Sequence, residues 1–200
     1  FSKVLFEKFG ISCPKGEKLN IQNISNFKNR LPIVIKPING GSSIGVKTIN
    51  SLSTFNKFKK EIKNYNDLLV EEFIPGREIT VGILENRVCG ITEIVSESEF
   101  YDFESKYVKI AKHIQNPNIK DDIKEKLVKN TVLAHNLLGC NCLCRADYRY
   151  NEKKNEIFLL EINTQPGLTK NSLLPEMVFK KGLDFKKLVE IIVENSKCEN

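Results

Sequence analysis

The sequence predicts an α+β fold with mostly antiparallel strands, arranged as two stacked lobes. Short segments rich in β-branched residues are separated by tight turns such as Pro75-Gly76, which is typical of antiparallel hairpins. Longer segments carry apolar residues at helical spacing. Hairpins beside long helices favour two lobes over a doubly wound parallel sheet, so we place one lobe at residues 1–76 and the other at 77–200.

In the predicted first lobe, the apolar run LPIVIK at 31–36 indicates a short buried strand, and a Gly- and Ser-rich loop follows at 37–45. A helix is predicted at 53–65 because apolar side chains recur there at helical spacing, and Ser53 or Thr54 can cap its N-terminus. The apolar side chains are Phe55, Phe58, Ile62 and Tyr65. This helix has one buried face, and its lysines lie on the solvated face.

The rest of the chain alternates strands and helices. A polar loop with aromatic residues is predicted at 96–108, a long helix at 118–139 that stops at Gly139, and a last helix at 184–196. Five strands are predicted, at 67–74, 77–84, 87–95, 142–150 and 155–163. Short turns between successive strands predict antiparallel pairing.

Composition excludes several classes of function. The chain has 200 residues, 40% of them hydrophobic, and no apolar run long enough to span a membrane. Its first residues lack the apolar core of a secretory signal, so we expect neither export nor membrane insertion and a cytoplasmic location. The net charge of +6 is spread along the chain and mixed with acids, and nucleic-acid-binding signatures are missing, so no nucleic-acid partner is expected.

The six cysteines do not form paired Cys-x-x-Cys motifs, which favours a reducing compartment. In the run CNCLC at 140–144 the cysteines alternate, so on a strand their thiols would share one face. Such a face is either a soft-metal site or, as the sequence alone favours, a set of small apolar fillers. His113 and His135 have no ligand spacing and are expected at the surface or on a helix face.

The first segment whose residues suit ligand binding is IKPINGGSSIGV at 35–46. Lys36 leaves a strand beside a Gly- and Ser-rich loop, so a cation, hydroxyls and backbone N–H groups can surround one phosphate. Neither the Walker spacing nor a Gly-x-Gly-x-x-Gly fingerprint is present, which excludes a P-loop and a dinucleotide fold. A flexible hairpin with an exposed lysine is the alternative.

The second segment is VEEFIPGRE at 70–78, which crowds acids at a strand edge. Such carboxylates can accept hydrogen bonds from ribose hydroxyls, and the apolar Phe73 and Ile74 can sandwich a planar ring. The acids are Glu71, Glu72 and Glu78. Solvated surface acids are the alternative.

The third group consists of Asp147, Glu161 and Asn163. Period-2 alternation places Glu161 and Asn163 on one face of a strand, and Asp147 lies on the preceding strand, so the three side chains can converge. Oxygen ligands with two negative charges suit Mg²⁺ or Mn²⁺ and suit zinc poorly. Arg145, two residues before Asp147, can neutralise charge beside the metal. Together the three segments predict a nucleoside triphosphate site between two lobes.

The ordered motifs IVIKP…GGSSIGV, VEEFIPGREITVGIL, FYDFESKY, LGCNCLCRADY, FLLEINTQPGLT and NSLLP resemble the ATP-grasp part of the D-alanine–D-alanine ligase family over nearly the whole chain. The resemblance implies the ATP-grasp fold, with ATP held between antiparallel sheets. It also implies an ATP- and Mg²⁺-dependent reaction in which one D-alanine becomes an acyl phosphate. The amine of a second D-alanine then attacks to give D-alanyl-D-alanine for peptidoglycan synthesis.

The resemblance also implies roles for residues that match these motifs. Lys36 would hold the α- and β-phosphates, Ser42 and Ser43 would lie in a loop over the site, and the ATP-contacting stretch would run from about Phe27 to Thr80. Adenine would touch Glu71, Glu72, Phe73 and Ile74, and the ribose would touch Glu78. Lys106 would reach the γ-phosphate from a mobile loop held shut by Tyr107, which keeps water from an acyl phosphate.

The resemblance also implies two Mg²⁺ (or Mn²⁺) ions. Their ligands would be Asp147, Glu161 and Asn163, with Glu161 bridging. Arg145 and the backbone N–H of Gly167 would form an oxyanion hole, and Ser172 with Leu173 would hold the second D-alanine.

The family also has an N-terminal domain of about a hundred residues that helps to bind the first D-alanine, and the printed sequence does not contain it. We therefore expect the chain to keep the fold and weak ATP·Mg²⁺ binding, with little dipeptide synthesis by itself. A homodimer is expected for the full-length form. Gly40 departs from common family residues without removing a phosphate ligand, and Gln165 and Leu168 do so without touching a metal ligand. The alternatives are another ATP-grasp carboxylate–amine ligase, or a catalytically silent ATP-binding module.

Overall fold

The computed structural model describes residues 1–19, 27, 29–39, 44–61, 67–95 and 111–196. The chain divides into two units, each described by itself. The large unit comprises Phe1–Cys13, Pro75–Val95 and Lys112–Asn200, and the small unit comprises Pro14–Ile74 and Ser96–Ala111. The first 13 residues thus belong with the large unit, whereas the sequence-based division put them in the first lobe. Phe6 and Ile11 explain this difference, because both are buried in the same cluster as Ile79.

The small unit contains a four-stranded antiparallel sheet in the order β1-β4-β2-β3. Alternate residues such as Ile35 and Val70 face its core, where they pack with Phe55 and Phe58. The elements are β1 (Gly16–Leu19), β2 (Ile33–Pro37), β3 (Lys47–Ile49), helix α2 (Leu52–Glu61) and β4 (Leu68–Glu72).

The large unit contains a five-stranded antiparallel sheet in the order β7-β6-β5-β8-β9. Its strands are β5 (Arg77–Leu84), β6 (Arg87–Val95), β7 (Lys112–Gln115), β8 (Leu143–Asn151) and β9 (Glu156–Asn163). Its helices are α1 (Ser2–Lys8), α3 (Asp121–Leu137), α4 (Leu173–Lys180) and α5 (Phe185–Glu194). None of the helices formed by the described residues is long and apolar enough to cross a bilayer.

One face of the large sheet packs against an apolar core, and the ion pair of Arg77 and Glu93 lies at one end of that face. Val81 and Tyr148 point to this face and pack with Ile123 and Leu127 of α3. Burying such large side chains contributes about 1.5–3 kcal/mol each to folding. The opposite face carries Thr80 and Asp147, which lie directly opposite each other on β5 and β8.

Helix α4 covers one end of that opposite face. A Cβ atom at Gly82 would lie 2.7 Å from the Met177 sulfur, and one at Gly90 would lie 2.7 Å from Met177 Cβ. These two glycines, paired across β5 and β6, let the helix approach the sheet closely. The end that carries Thr80 and Asp147 lies beyond this contact.

Most predicted elements are confirmed. The strands at 77–84 and 87–95 have the predicted bounds, and the other predicted strands and helices shift by up to three residues where they are described. Residues 62–66 of the predicted helix at 53–65, and the predicted loop at 96–108, lie outside the described residues.

Five short elements were not predicted: α1, β1, β3, β7 and α4. Their sequences lack a clear period, as in the polar strand GEKL of β1. Helix α4 has Pro175 in its first turn, where proline is tolerated although it resembles a helix breaker in the sequence. Such elements depend on contacts with distant residues.

The expectation that the three thiols of CNCLC share a strand face was wrong, whereas His135 lies on helix α3, one of the two places expected for it. The three thiols of CNCLC do not share a strand face, because β8 begins at Leu143 and Cys142 has a positive φ of 60°. His135 is buried, with 1% of its surface exposed, because its ring contacts Asn86 and Cys144. His113 is partly buried beside Glu176, with 2.7 Å between its Nδ1 and the carboxylate.

Candidate functional site

Strands β8 and β9 bring four predicted site residues to one sheet face. Asp147 lies directly opposite Glu161, and Arg145 lies directly opposite Asn163. Directly opposed residues of antiparallel strands point to the same side, with Cβ atoms about 4.5–5.5 Å apart. The predicted convergence of these side chains is thus present in the large unit.

A β-bulge at Leu160 makes this arrangement possible. Tyr148 pairs with Leu159 and Asp147 pairs with Glu161, so Leu160 has no direct partner. Ile157 and Leu159 face the apolar core, and strict alternation would have turned Glu161 towards that core as well. The extra residue reverses the alternation, and Glu161 becomes exposed on the polar face.

Asp147 is held by two neighbours. Arg145 donates from Nε to Oδ1 at 2.9 Å and from a terminal nitrogen to Oδ2 at 2.8 Å, which is a bidentate pair. Thr80 donates its hydroxyl proton to Oδ1 at 2.7 Å. Asp147 is 9% exposed, so these bonds fix its carboxylate in a largely buried position.

The charge of Arg145 is secure in this setting. Burial by itself lowers its pKa, but the hydrogen bonds to Asp147 and the charges of Asp147, Glu161 and Glu78 outweigh burial and raise it. The guanidinium therefore stays protonated, and it brings a permanent positive charge next to two carboxylates.

Two further residues on this face had no role of their own in the predicted metal site. Thr80 bonds Asp147, and Arg149 pairs with Glu78 with 3.8 Å between nitrogen and oxygen. Alternation along REITVGIL could have identified Thr80, because it is the polar residue between the buried Ile79 and Val81. Arg149 continues the alternating series of Arg145 and Asp147 on β8.

The polar face offers a donor set suited to Mg²⁺. Asp147 and Glu161 supply carboxylate oxygens, and Asn163 supplies an amide oxygen that also accepts from Gln165 N at 3.3 Å. Hard divalent cations prefer such all-oxygen sets, and no cysteine or histidine lies among these three residues. The residues present fit the predicted metal.

The turn after β9 brings Gly167 and Ser172 together. A Cβ atom at Gly167 would lie 2.9 Å from Ser172 Oγ, so the absence of a side chain lets the two residues approach. Ser172 Oγ accepts from Thr169 N at 3.1 Å and lies 2.8 Å from the Thr169 hydroxyl. The next residue, Leu173, packs against the apolar cluster beneath α4.

In the small unit, Lys36 and Glu71 form an ion pair on the sheet face opposite the core. Lys36 Nζ lies 2.8 Å from Glu71 Oε2, and Glu71 is only 3% exposed. The pairing of Lys36 with Leu69 and of Val34 with Glu71 puts both charged residues on the same face. Gly16 pairs with Glu71 on the adjacent strand, and a Cβ atom on Gly16 would lie 2.7 Å from Glu71 Cγ.

The other predicted adenine-binding residues are tied to the backbone around them. Glu72 Oε1 accepts from Lys15 N at 2.8 Å, Phe73 N donates to Pro32 O at 3.4 Å, and Ile74 is buried. The predicted site residues Ser42, Ser43, Lys106 and Tyr107 lie outside the described residues, so their roles stay predictions.

Comparison with known proteins gives a consistent result. The family described as D-ala D-ala ligase C-terminus matches residues 6–194. D-alanine–D-alanine ligase from Wolbachia pipientis wMel is 39% identical over 98% of this chain and 64% of its own length. The chain thus spans less than two thirds of the length of that relative.

Solved structures show the same fold. D-alanine–D-alanine ligase from Bacillus anthracis superposes with a TM-score of 0.80 at 28% identity, covering 97% of this chain and 65% of that one. The same enzyme complexed with ATP gives a TM-score of 0.75 at 22% identity, with coverage of 97% and 62%. The predicted α+β ATP-grasp fold is confirmed.

Proposed function

Because the chain belongs to the D-ala D-ala ligase C-terminus family, we propose that it acts in an ATP- and Mg²⁺-dependent ligase. This ligase joins two D-alanines through an acyl phosphate to give D-alanyl-D-alanine for peptidoglycan synthesis. The observation that carries the proposal is the double pairing of Arg145 with Asn163 and of Asp147 with Glu161 on one polar face. A structural role alone does not require two acids, an amide and an arginine at opposed positions.

ATP binding is assigned to Lys36, residues 71–74 and Glu78, with Ser42 and Ser43. The ammonium group of Lys36 would bind the α- and β-phosphates, either after leaving Glu71 or while it is still paired with that carboxylate. Residues 71–74 would contact adenine, and Glu78 would accept from the ribose. Ser42 and Ser43 would close over the phosphates. The solved relative complexed with ATP supports this assignment at the level of the fold.

The metal ligands would be Asp147, Glu161 and Asn163. When bound, two Mg²⁺ ions would neutralise phosphate charge and polarise the phosphoryl group. Arg145 and Thr80 would keep the Asp147 carboxylate in position for this task, since they already bond its oxygens. Glu161, the exposed member, would bridge the two ions.

The attack of the second D-alanine creates negative charge on the acyl oxygen. Arg145 and the N–H group of Gly167 would stabilise that charge, which is strongest when donors are fixed in advance. Ser172 and Leu173 would hold the carboxylate of the attacking D-alanine near Gly167. Lys106 would reach the γ-phosphate, and Tyr107 would hold shut the loop that excludes water from the acyl phosphate.

The same proposal covers partners and location. D-alanine is the substrate, the full-length ligase is a homodimer, and the reaction takes place in the cytoplasm, where ATP is available. Neither a nucleic acid nor a membrane is needed for this chemistry.

A substrate screen tests the proposed function. ADP release would be measured with D-alanine, D-serine and D-lactate for this chain alone and for a fusion with the preceding third of the Wolbachia relative. We expect ATP·Mg²⁺ binding by both proteins and D-alanine-dependent ADP release, with dipeptide, by the fusion. ATP binding without turnover in a folded fusion would instead support the silent module, and turnover with a different acid or amine would support another ligase.

A matched pair of variants on β9 tests the metal assignment. In the fusion, Glu161→Gln removes a proposed ligand, whereas Glu156→Gln changes an exposed acid at the other end of the same strand, opposite Asn151. We expect Glu161→Gln to lower turnover by at least about 100-fold and to raise the Mg²⁺ concentration required. Unchanged turnover and Mg²⁺ dependence would contradict the assignment.

A further inference from the structure

A second group of potential ligands lies at the end of α3, apart from the residues assigned to the ligase reaction. His135 is in the last turn of α3, Cys140 follows that helix, and Cys144 is on β8. One ligand atom from each residue lies within 4.8 Å of the others, and His135 Nδ1 is 3.2 Å from Cys144 Sγ. We propose that His135, Cys140 and Cys144 bind one Zn²⁺ ion.

The spacing is close to what zinc requires. With Zn–S bonds of about 2.3 Å and Zn–N bonds of about 2.0 Å, tetrahedral geometry separates the donor atoms by about 3.5–3.8 Å. The distances between the three donors therefore need only small side-chain adjustments. Thiolate and imidazole ligands favour zinc over Mg²⁺, the metal expected at the oxygen site.

Asn86 orients the histidine for this role. Its Oδ1 lies 2.9 Å from His135 Nε2 and accepts the proton of that nitrogen, which leaves the lone pair of Nδ1 directed towards Cys144. Burial lowers the pKa of His135, so the ring is neutral, as a metal ligand must be. A partner on the second ring nitrogen is a regular feature of metal-binding histidines.

The neighbouring Cys142 packs in an apolar cluster, unlike the two proposed cysteine ligands. Its sulfur lies 4.0 Å from Ile191 O, in the apolar cluster with Leu174 and Leu188. The small-residue interpretation of CNCLC therefore holds for Cys142. Cys140 and Cys144 differ, because both lie beside the imidazole.

Binding exchanges protons for the ion. Burial raises the pKa of Cys144 to about 12, and burial also raises the pKa of Cys140, so both thiols are protonated without metal. Zn²⁺ forms two S–Zn bonds and one N–Zn bond, and the two S–H protons leave to solvent. Cys140 is only partly buried, which gives the ion a route in, and a water molecule completes the fourth position.

The bound ion would link the end of α3 to strand β8. Through the hydrogen bond of His135 to Asn86, it would also stabilise the turn between β5 and β6. Its role would be structural, and it does not depend on the proposed ligase activity. The site would therefore be present in this chain without any substrate.

The test uses the reduced, metal-free chain titrated with Zn²⁺ against a chromophoric chelator, and with Co²⁺ to observe thiolate charge-transfer absorption. We expect one ion per chain and a higher melting temperature with Zn²⁺. Cys140→Ser should weaken Zn²⁺ binding by more than about 10-fold and remove roughly half of the Co²⁺ absorption. Cys142→Ala is the matched control in the same run and should leave both unchanged.

A second pair of variants avoids changes to the buried ligands. Asn86 has a positive φ of 61°, so Asn86→Gly fits the backbone and removes only the acceptor on His135. It should weaken Zn²⁺ binding by about 10-fold, and Asn86→Asp should restore it, since a carboxylate accepts the same proton. Equal Zn²⁺ affinity of the wild type and Cys140→Ser, or equal losses in Cys140→Ser and Cys142→Ala, would overturn the proposal.

Discussion

The polar faces of the two sheets position their charges in different ways. In the small unit, one ion pair between Lys36 and Glu71 lies beside Gly16, which leaves space for it. In the large unit, Asp147 is fixed by two partners, Arg145 and Thr80, on adjacent positions of the sheet. The first arrangement includes a flexible lysine side chain, and the second depends on the register of β5 against β8.

This difference indicates which face can move. A lysine on a flexible stem can turn from its carboxylate partner towards a phosphate that binds nearby. A bidentate arginine pair supported by a hydroxyl holds one geometry, which suits a carboxylate that must coordinate a metal with small positional error. The small unit is thus built to release a partner, and the large unit to keep one.

The largest effect is expected from deletion of Leu160, the bulged residue of β9. Deletion restores strict alternation, so Glu161 and Asn163 would turn towards the apolar core. Burying these groups without partners should destabilise the large unit by more than about 4 kcal/mol. Hydrogen exchange followed by mass spectrometry would show faster exchange in β8 and β9, and the small-unit peptides serve as the internal control. Native protection in β8 and β9 would contradict the role of the bulge.

Asp147→Ala should have the next largest effect. It leaves Arg145 without its bidentate partner at a largely buried position, which costs about 3 kcal/mol. Urea unfolding would measure the loss. Asn163→Ala, a partly exposed neighbour on the same face, is the control and should change the free energy of unfolding by less than about 1 kcal/mol. Similar losses in both variants would show that the pair does not fix this face.

Gly16→Ala tests the small unit. The new Cβ atom would lie 2.7 Å from Val70 O and from Glu71 Cγ, so the backbone of β1 or β4 must shift. Overpacking of this kind costs about 2 kcal/mol. Exchange should accelerate in β1 and β4, with no change in the large unit. The control is Glu17→Gln, which changes the exposed residue at the next position. A wild-type exchange pattern in Gly16→Ala would contradict the close approach of β1 to β4 at Gly16.

The smallest effect on stability is expected from Lys36→Arg. The variant keeps a cation beside the buried carboxylate of Glu71, so the free energy of unfolding should change by less than about 1 kcal/mol, while the shape and donors of the cation change. ATP binding, measured by calorimetry, should weaken more than stability does. A stability loss as large as that of Asp147→Ala would mean that both faces are equally rigid.

The sequence predicted the strands and the residues of the polar face because both depend on local pattern. Glu161 and Asn163 follow an apolar run two residues apart, and this spacing was enough to expect a shared face. The bulge at Leu160 could not be predicted, since only the pairing with β8 reveals that one residue is extra. Alternation correctly predicted that the two residues share a face. It did not explain why this is the polar face of the sheet.

Long-range contacts account for the other differences. Residues 1–13 join the large unit through the packing of Phe6 and Ile11, which no local signal indicates. The contact of His135 with Asn86 spans 49 positions, so sequence spacing could not identify it. The roles of Ser42, Ser43, Lys106 and Tyr107 were assigned by motif alone and stay predictions.

The close contact of Met177 with Gly82 and Gly90 has a practical consequence. Met177 is the single methionine in the sequence, and it is a 1% exposed residue of helix α4, which begins directly after Ser172. Isotope labelling of methionine methyl groups would therefore place one NMR signal at this contact. Its chemical shift would report any displacement of α4 from the sheet, and with it of Ser172, without a mutation or an attached probe.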